Sequence, residues 1–139
     1  MSIILIAEDN AVNRELLHEL LETRGHTVLE ACNGQEALDI LEKTKPDLLL
    51  LDIGMPVLDG FAVLRKIREN PRLAALPVVA VTAYAMRGDR EKILNSQFDG
   101  YLSKPIHSPL LTAELDRLLN KRLDRDESHT QESRNQSGC

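Results

Sequence analysis

The stretch LLLLDIGMPVLDG, residues 48–60, decides the fold of this chain of 139 residues. Its first four residues are leucines, and an acid, Asp52, follows them directly. The periodicity of the run would also fit a helix, but the run is short and lies between Pro46 and Pro56, which favours a strand. A strand without polar residues is typical of a parallel sheet that is covered on both faces. The stretch therefore predicts a buried strand that ends at a carboxylate.

Four further apolar segments predict the remaining strands. They are Ile3–Ala7, Thr27–Ala31, residues 78–81 and the weaker Gly100–Ser103. The second of these mixes polar with apolar residues, which indicates an edge strand. Apolar residues also recur at helical spacing near residues 12–21, 37–41, 61–67, 86–94 and 111–119. This alternation predicts an α/β fold, with a five-stranded parallel sheet and helices on both of its faces.

Local features add expectations about packing and boundaries. The first helical pattern ends at Gly25, a residue typical of helix C-terminal caps. We expect its apolar residues to face the core, and they are Val12, Leu16, Leu17, Leu20 and Leu21. We expect the thiol of Cys32 to be buried, since the two cysteines predict neither a disulfide framework nor a metal site. We expect residues 1–123 to form one folded domain. Residues 124–139 contain no large apolar residue, so we expect them to form a disordered polar tail.

The composition excludes several classes of function. Hydrophobic residues make up 42% and charged residues 28% of the chain, which is ordinary for a globular protein. The net charge of -5 disfavours binding to nucleic acid, whose phosphates require a basic surface. No apolar run approaches the ~20 residues of a membrane span or resembles a secretory signal. We therefore expect a cytoplasmic protein with no nucleic-acid partner and no membrane partner.

Polar residues follow four of the predicted strands. Glu8 and Asp9 come after the first strand, Asp52 after the third, Thr82 after the fourth and Lys104 after the fifth. The carboxyl ends of parallel strands share one edge of the sheet, which is where ligands bind in such folds. Each residue taken singly has an ordinary structural explanation, but together they place three carboxylates at one edge. Two carboxylates ~4 Å apart repel by about 4 kcal/mol at an effective dielectric constant of 20.

A hard divalent cation would offset that repulsion. Mg²⁺ typically binds one or two carboxylates, several waters and a phosphate oxygen, so Glu8, Asp9 and Asp52 predict a Mg²⁺ site, with Mn²⁺ as an alternative. Asp52 is the central candidate for a nucleophile, because an aspartate can accept a phosphoryl group as an acyl phosphate. Lys104 would neutralise a phosphoryl oxygen, and the hydroxyl of Thr82 would donate a hydrogen bond to one. A zinc site is disfavoured, since no histidine or thiolate stands at these positions.

Four motifs resemble those of the receiver domain of bacterial response regulators. They are EDN at 8–10, LLLLDIGMPVLDG at 48–60, AVTAYAMRGD at 80–89 and GYLSKPI at 100–106. The resemblance extends over residues 3–123 and is greatest to single-domain regulators of the CheY and DivK type. It implies a CheY-like, flavodoxin-like sheet with the strand order 2-1-3-4-5. It therefore assigns residues 1–123 to a receiver domain.

The resemblance also implies roles for the strand-end residues. Asp52 would be the phosphoacceptor, and Glu8, Asp9, Asp52 and the backbone carbonyl of Gly54 would bind the metal ion. Gly54 departs from the family, in which a longer side chain usually stands beside the phosphoryl group. Together with Tyr84 on the opposite side, this position tunes the rate of dephosphorylation in the family.

Further implied roles concern the response to phosphorylation. Thr82 and Lys104 would bind the phosphoryl group, and the bond between Lys104 and Pro105 would be cis. Tyr101 and Pro105 would belong to the switch, with the ring of Tyr101 turning inward when Thr82 moves toward the phosphoryl group.

The function implied is a phosphorylation switch of a two-component system or phosphorelay. A histidine kinase or a histidine phosphotransfer protein would supply the phosphoryl group from a phosphohistidine, in a Mg²⁺-dependent reaction. The surface formed by the predicted fourth helix, fifth strand and fifth helix would then bind a downstream protein target. The chain would not be an enzyme beyond its own phosphorylation and dephosphorylation.

Several alternatives accompany this interpretation. A hydrolase of the haloacid dehalogenase kind needs a second acid two residues after the nucleophile, where this chain has Gly54. A flavodoxin-like cofactor module needs a phosphate loop where Glu8 and Asp9 would repel a phosphate. A phosphorylation-independent interaction module usually lacks one of the site residues. A receiver excised from a hybrid histidine kinase also stays open, although Met1 directly before the first strand favours a free-standing protein.

Overall fold

A computed structural model gives the structure of residues 2–53, 60–82, 97–104 and 106–127. Strands and helices alternate along these residues. The strands are β1 (Ile3–Ala7), β2 (Thr27–Ala31), β3 (Leu48–Asp52), β4 (Val78–Thr82) and β5 (Gly100–Ser103). The helices are α1 (Ala11–Thr23), α2 (Gly34–Lys43), α3 (Gly60–Glu69) and α4 (Ser108–Glu127). The helix predicted near residues 86–94 lies outside the described residues, so α4 corresponds to the predicted fifth helix.

The strands form one parallel sheet in the order β2-β1-β3-β4-β5. The predicted α/β fold and the strand order implied by the resemblance are therefore confirmed. The strand β2 lies at an edge, as its mixed composition predicts. The strand β3 lies at the centre, and all five of its residues are buried. The run of leucines thus forms the central strand of the sheet. It places Asp52 in the middle of the side of the sheet where the carboxyl ends of the strands lie.

The sheet separates two hydrophobic cores. Leu49 and Leu51 of β3 face the core that α2 and α3 cover, whereas Leu48 and Leu50 face the core that α1 and α4 cover. Alternate residues of a strand point to opposite faces, so one apolar run supplies both cores. Each fully buried leucine contributes about 1.5–3 kcal/mol relative to exposure, which makes burial on both faces the main stabilisation of β3.

The helix α1 ends where the sequence predicts. Gly25 has a φ of 87°, in the left-handed region that favours glycine. The amide of Gly25 donates to the carbonyl of Glu22 at 2.9 Å, and the amide of His26 donates to that of Leu21 at 3.2 Å. These two bonds form a Schellman motif, which stops the helix and turns the chain into β2.

Two packing predictions are wrong. Val12 is 72% and Leu16 is 48% exposed, so the buried stripe of α1 is narrower than predicted and contains Leu17 and Leu21. Cys32 is exposed rather than buried. It follows the last paired residue of β2, an edge strand, and its amide donates to the carboxylate of Glu36 at the start of α2. The chain is therefore already turning away from the sheet at Cys32.

The C-terminal helix continues beyond the predicted domain boundary. The predicted tail begins at Asp124, but α4 runs to Glu127. Residues 128–139, the rest of that tail, lie outside the described residues. Among the helices that the structure describes, none is long and apolar enough to span a membrane.

Candidate functional site

The site lies along the edge of the sheet where the parallel strands end. One amide past the end of each of three strands still donates to the neighbouring strand, so the sheet extends into the loops. These bonds join Glu8 to Ala31 at 3.0 Å, Ile53 to Val81 at 3.0 Å and Lys104 to Thr82 at 2.8 Å. The backbone at the site is therefore held by the sheet.

Three carboxylates meet at this edge, as predicted. Ligand oxygens of Glu8, Asp9 and Asp52 all lie within 4.8 Å of one another. Glu8 is 1% and Asp52 is 6% exposed, whereas Asp9 faces the solvent. Two of the three acids are thus held in an environment with little water, where like charges repel more strongly.

The ammonium group of Lys104 bridges two of these acids. Its Nζ lies 2.7 Å from Oε1 of Glu8 and donates a hydrogen bond to Oδ2 of Asp52 at 3.1 Å. The Lys104 side chain is 19% exposed, so it approaches the acids from the rim of the site. One ammonium against three carboxylates leaves two negative charges when all groups are ionised.

The pKa of Glu8 records this crowding. Burial raises the pKa of Glu8 to about 7, and the neighbouring Asp52 carboxylate adds to the increase while Lys104 opposes it. Burial lowers the pKa of Lys104, but contacts with Glu8 and Asp52 outweigh it and raise the pKa overall. The ammonium therefore stays charged at neutral pH, while Glu8 is poised near the middle of its titration.

The donor set fits a hard divalent cation. Oε2 of Glu8 is buried and has no hydrogen-bond donor among the described residues. A buried carboxylate oxygen of this kind is costly unless a cation or a donor reaches it. All the side-chain ligands are oxygens and the cluster carries excess negative charge, which suits Mg²⁺.

The other predicted site residues are distributed around this cluster. Thr82 ends β4 and is 3% exposed, on the strand next to that of Asp52. Tyr101 lies on the edge strand β5, half-buried, with Ala80 as its partner in register. Gly54, Tyr84 and Pro105 lie outside the described residues.

Two residues that support the site do not stand out in the sequence. Nη1 of Arg14, in the first turn of α1, donates to the carbonyl of Glu8 at 2.8 Å. Gly60 donates its amide to Ile53 at 3.0 Å, and a Cβ at position 60 would lie 2.7 Å from the Ile53 Cα. Only glycine permits this close return of the chain to the end of β3. For Arg14 the available signal is its place one turn into the helix, since helical side chains lean toward the N-terminus.

Comparison with known proteins decides the family. The sequence model of the family described as response regulator receiver domain matches residues 4–116. This range includes every described residue of the site. The chain belongs to the response regulator receiver family. A relative from Brucella anthropi, the polar-differentiation response regulator DivK, is 41% identical over 106 residues, or 76% of this chain and 86% of the relative. This receiver is therefore a DivK-like member of the two-component signalling proteins.

Solved structures agree with that assignment. The receiver domain of a sensor histidine kinase from Pseudomonas aeruginosa, with a magnesium ion coordinated in its active-site cleft, has a TM-score of 0.80 and 34% identity. That comparison covers 86% of this receiver and 98% of the other chain. The chemotaxis protein CheY4 of Vibrio cholerae has a TM-score of 0.80 at 26% identity, covering 86% and 99% of the two chains. The fold of this receiver is thus CheY-like.

Proposed function

We propose that this receiver is a phosphorylation switch in which Asp52 accepts a phosphoryl group from a phosphohistidine. The observation that carries the proposal is the buried Asp52 carboxylate, which lies 3.1 Å from an ammonium group and within 4.8 Å of two further acids. The donor would be a histidine kinase or a histidine phosphotransfer protein. Phosphorylation of the chain and its reversal are the only chemistry that the proposal requires.

The transfer needs one bond to form and one to break. A carboxylate oxygen of Asp52 attacks phosphorus, and the electron pair of the phosphorus–nitrogen bond returns to the imidazole of the donor. The Lys104 ammonium neutralises charge on the phosphoryl oxygens, and the hydroxyl of Thr82 donates to one of them. The Asp52 carboxylate already lies beside Lys104, so the ammonium group is in place before the phosphoryl group arrives.

A divalent cation completes the proposed site. The carboxylates of Glu8, Asp9 and Asp52, with the backbone carbonyl of Gly54, would hold Mg²⁺, and Mn²⁺ accepts the same donors. When bound, the ion offsets the charge of the phosphoryl oxygens and of the acids themselves.

The switch would act through a change in surface. A phosphoryl group adds about -1.5 to -2 charges beside Thr82, which ends the strand next to that of Tyr101 and lies two residues beyond its register partner, Ala80. Contacts that favour one arrangement of Thr82 and Tyr101 shift the relative populations of two conformations of the receiver. We propose that β5, α4 and the segment near residues 86–94 form the face that binds a downstream protein.

The face that receives the donor is a separate surface. Val12, Leu16 and Leu110 are 72%, 48% and 58% exposed, which is unusual for large apolar side chains in the described part of the chain. A cavity of about 270 Å³ beside Leu16 is also lined by Glu8 and Lys104. An apolar surface next to the acceptor suits a helical partner that must bring its phosphohistidine within reach of Asp52.

A small phosphodonor tests the proposal without any partner. We expect incubation with Mg²⁺ and acetyl phosphate to add one phosphoryl group to the intact chain, measured by mass spectrometry. The adduct should be absent from Asp52→Asn and from a sample with EDTA, because both lose the acceptor or the cation.

The matched control is Asp39→Asn, the same chemical change at an exposed acid on α2. It should be phosphorylated like the unsubstituted chain. No adduct on any sample, even after rapid quenching, or an adduct that persists in Asp52→Asn, would contradict the proposed acceptor.

A further inference from the structure

The peptide group between Glu8 and Asp9 is held from outside the site. The amide of Glu8 donates to Ala31 on β2 at 3.0 Å, which fixes the backbone on one side of the residue. Its carbonyl accepts from Nη1 of Arg14 at 2.8 Å, which fixes the other side. That carbonyl belongs to the peptide that joins the two acids. Its orientation therefore constrains the backbone from which both carboxylates project.

The Arg14 side chain is itself held in place. The helix α1 begins after Asn10, whose side chain accepts from the amide of Asn13 at 3.0 Å and whose carbonyl accepts from the amide of Arg14 at 2.9 Å. Arg14 thus starts in a fixed first turn and leans back toward Glu8. Its side chain is 18% exposed, and its Nε lies 3.7 Å from Oε1 of Glu30 on β2.

Glu30 is held by a second group. Its Oε2 lies 2.7 Å from Nδ1 of His18, and the other ring nitrogen of His18 lies 3.0 Å from Glu22. Each oxygen of Glu30 thus faces a different group, one of them the guanidinium of Arg14. Arg14 faces the Glu8 carbonyl and Glu30 with two different nitrogens of its planar guanidinium, whereas a lysine offers a single ammonium nitrogen.

We propose that Arg14 is a positioning residue for the divalent-cation site. It fixes the peptide between Glu8 and Asp9 through its hydrogen bond to the Glu8 carbonyl, and Glu30 holds its guanidinium in place. The proposal rests on the proposed cation site and adds to it a residue that binds neither the ion nor the phosphoryl group.

Charge and position predict opposite results for Arg14, which makes the proposal testable. A guanidinium near a divalent cation repels it, so removal of the charge alone would strengthen Mg²⁺ binding. Loss of a group that orients metal ligands weakens binding instead, typically by 10- to 100-fold. The sign of the change in Mg²⁺ affinity therefore separates the two roles.

The experiment is a calorimetric titration of the full chain with Mg²⁺. We expect Arg14→Gln to raise the Kd for Mg²⁺ roughly tenfold and Glu30→Gln to raise it by less, because the hydrogen bond of Arg14 remains. Arg14→Lys should raise the Kd about as much as Arg14→Gln does, since it keeps the positive charge but loses the planar guanidinium. Arg24→Gln, the same change at the opposite end of α1, is the matched control and should leave the Kd unchanged.

Thermal unfolding without Mg²⁺ separates positioning from folding. A merely structural role would lower the Tm of Arg14→Gln and leave its Kd for Mg²⁺ unchanged, which would overturn the proposal, as would tighter binding. If Arg14→Gln does not fold, an unchanged Kd in both Arg14→Lys and Glu30→Gln overturns it. Failure of the unsubstituted chain to bind Mg²⁺ would overturn the proposed cation site, and this inference with it.

Discussion

Glu8 combines burial, a carboxylate neighbour and a nearby ammonium group in one side chain. Burial and Asp52 raise its pKa to about 7 from an ordinary value of 4.5. The folded chain therefore binds more protons than the unfolded chain between these values, so the free energy of unfolding should fall as the pH rises through that range. The cost of ionising Glu8 is thus built into the folded state, and a cation bound at the proposed site would relieve it.

The same pKa predicts how metal binding depends on pH. At the proposed site Mg²⁺ would need the ionised carboxylate, so below pH 7 it would have to displace a proton from Glu8. We expect the Kd for Mg²⁺ to decrease by up to about tenfold for each pH unit between 5.5 and 7 and to level off above that range. Titration calorimetry at several pH values measures this directly.

Two variants test the assignment of this pH dependence. Glu8→Gln should bind Mg²⁺ more weakly and show a much flatter pH profile, because the group that competes for protons is gone. Asp39→Asn, at an exposed acid, should keep the original profile. An equally steep profile in Glu8→Gln would assign the proton to another group.

At the scale of elements, β3 connects the core to the proposed acceptor. Its leucines supply both hydrophobic cores, and its last residue is Asp52. The uninterrupted apolar run made this strand and its position predictable, and the polar residues after the strands made the acid cluster predictable. Arg14 was not, because its place one turn into α1 indicates only that its side chain leans toward the N-terminus, and not that its guanidinium donates to the Glu8 carbonyl. The exposure of Val12 was missed because periodicity identifies a helical face but not its width.

Truncation of β3 side chains should cost much of the stability. We expect Leu49→Ala and Leu50→Ala each to lower the free energy of unfolding by about 3 to 5 kcal/mol, because each leaves a cavity in a closely packed core. Leu110→Ala, the same change at a side chain that is 58% exposed, should change it by less than about 0.5 kcal/mol. Urea unfolding followed by circular dichroism measures all three. Similar losses in all three variants would contradict the described burial of β3.

At the scale of the whole molecule, the exposed apolar side chains lie on the same side of the sheet as the proposed docking surface. Val12, Leu16 and Leu110 belong to α1 and α4, the two helices on the same side of the sheet. The proposed acceptor, Asp52, lies at the end of the sheet beside them, where Leu16, Glu8 and Lys104 line one cavity. A partner docked on this surface would reach the acceptor without touching the side of the sheet that α2 and α3 cover.

Phosphotransfer from a protein donor should therefore depend on Leu16. We expect Leu16→Ala to slow transfer from a phosphorylated histidine phosphotransfer protein roughly tenfold, while phosphorylation by acetyl phosphate keeps its rate. Rapid-quench measurements with each donor give the two rates. Leu38→Ala on α2, on the opposite side of the sheet, is the control and should leave both rates unchanged. Equal slowing with both donors would place Leu16 in the chemistry of the site rather than in docking.

The division of the interior by the sheet has a consequence for how this sequence can evolve. Side chains of the two cores are separated by the strand backbones, so substitutions on opposite faces should have nearly additive effects on stability. Each face can then drift and repack on its own, and a loss on one side does not demand a matching change on the other. The residues at the strand ends have no such freedom, since Lys104 contacts both Glu8, which follows β1, and Asp52, which ends β3. Among descendants of this chain, core residues on the two faces of the sheet should therefore change independently of each other, whereas the residues at the strand ends should change together.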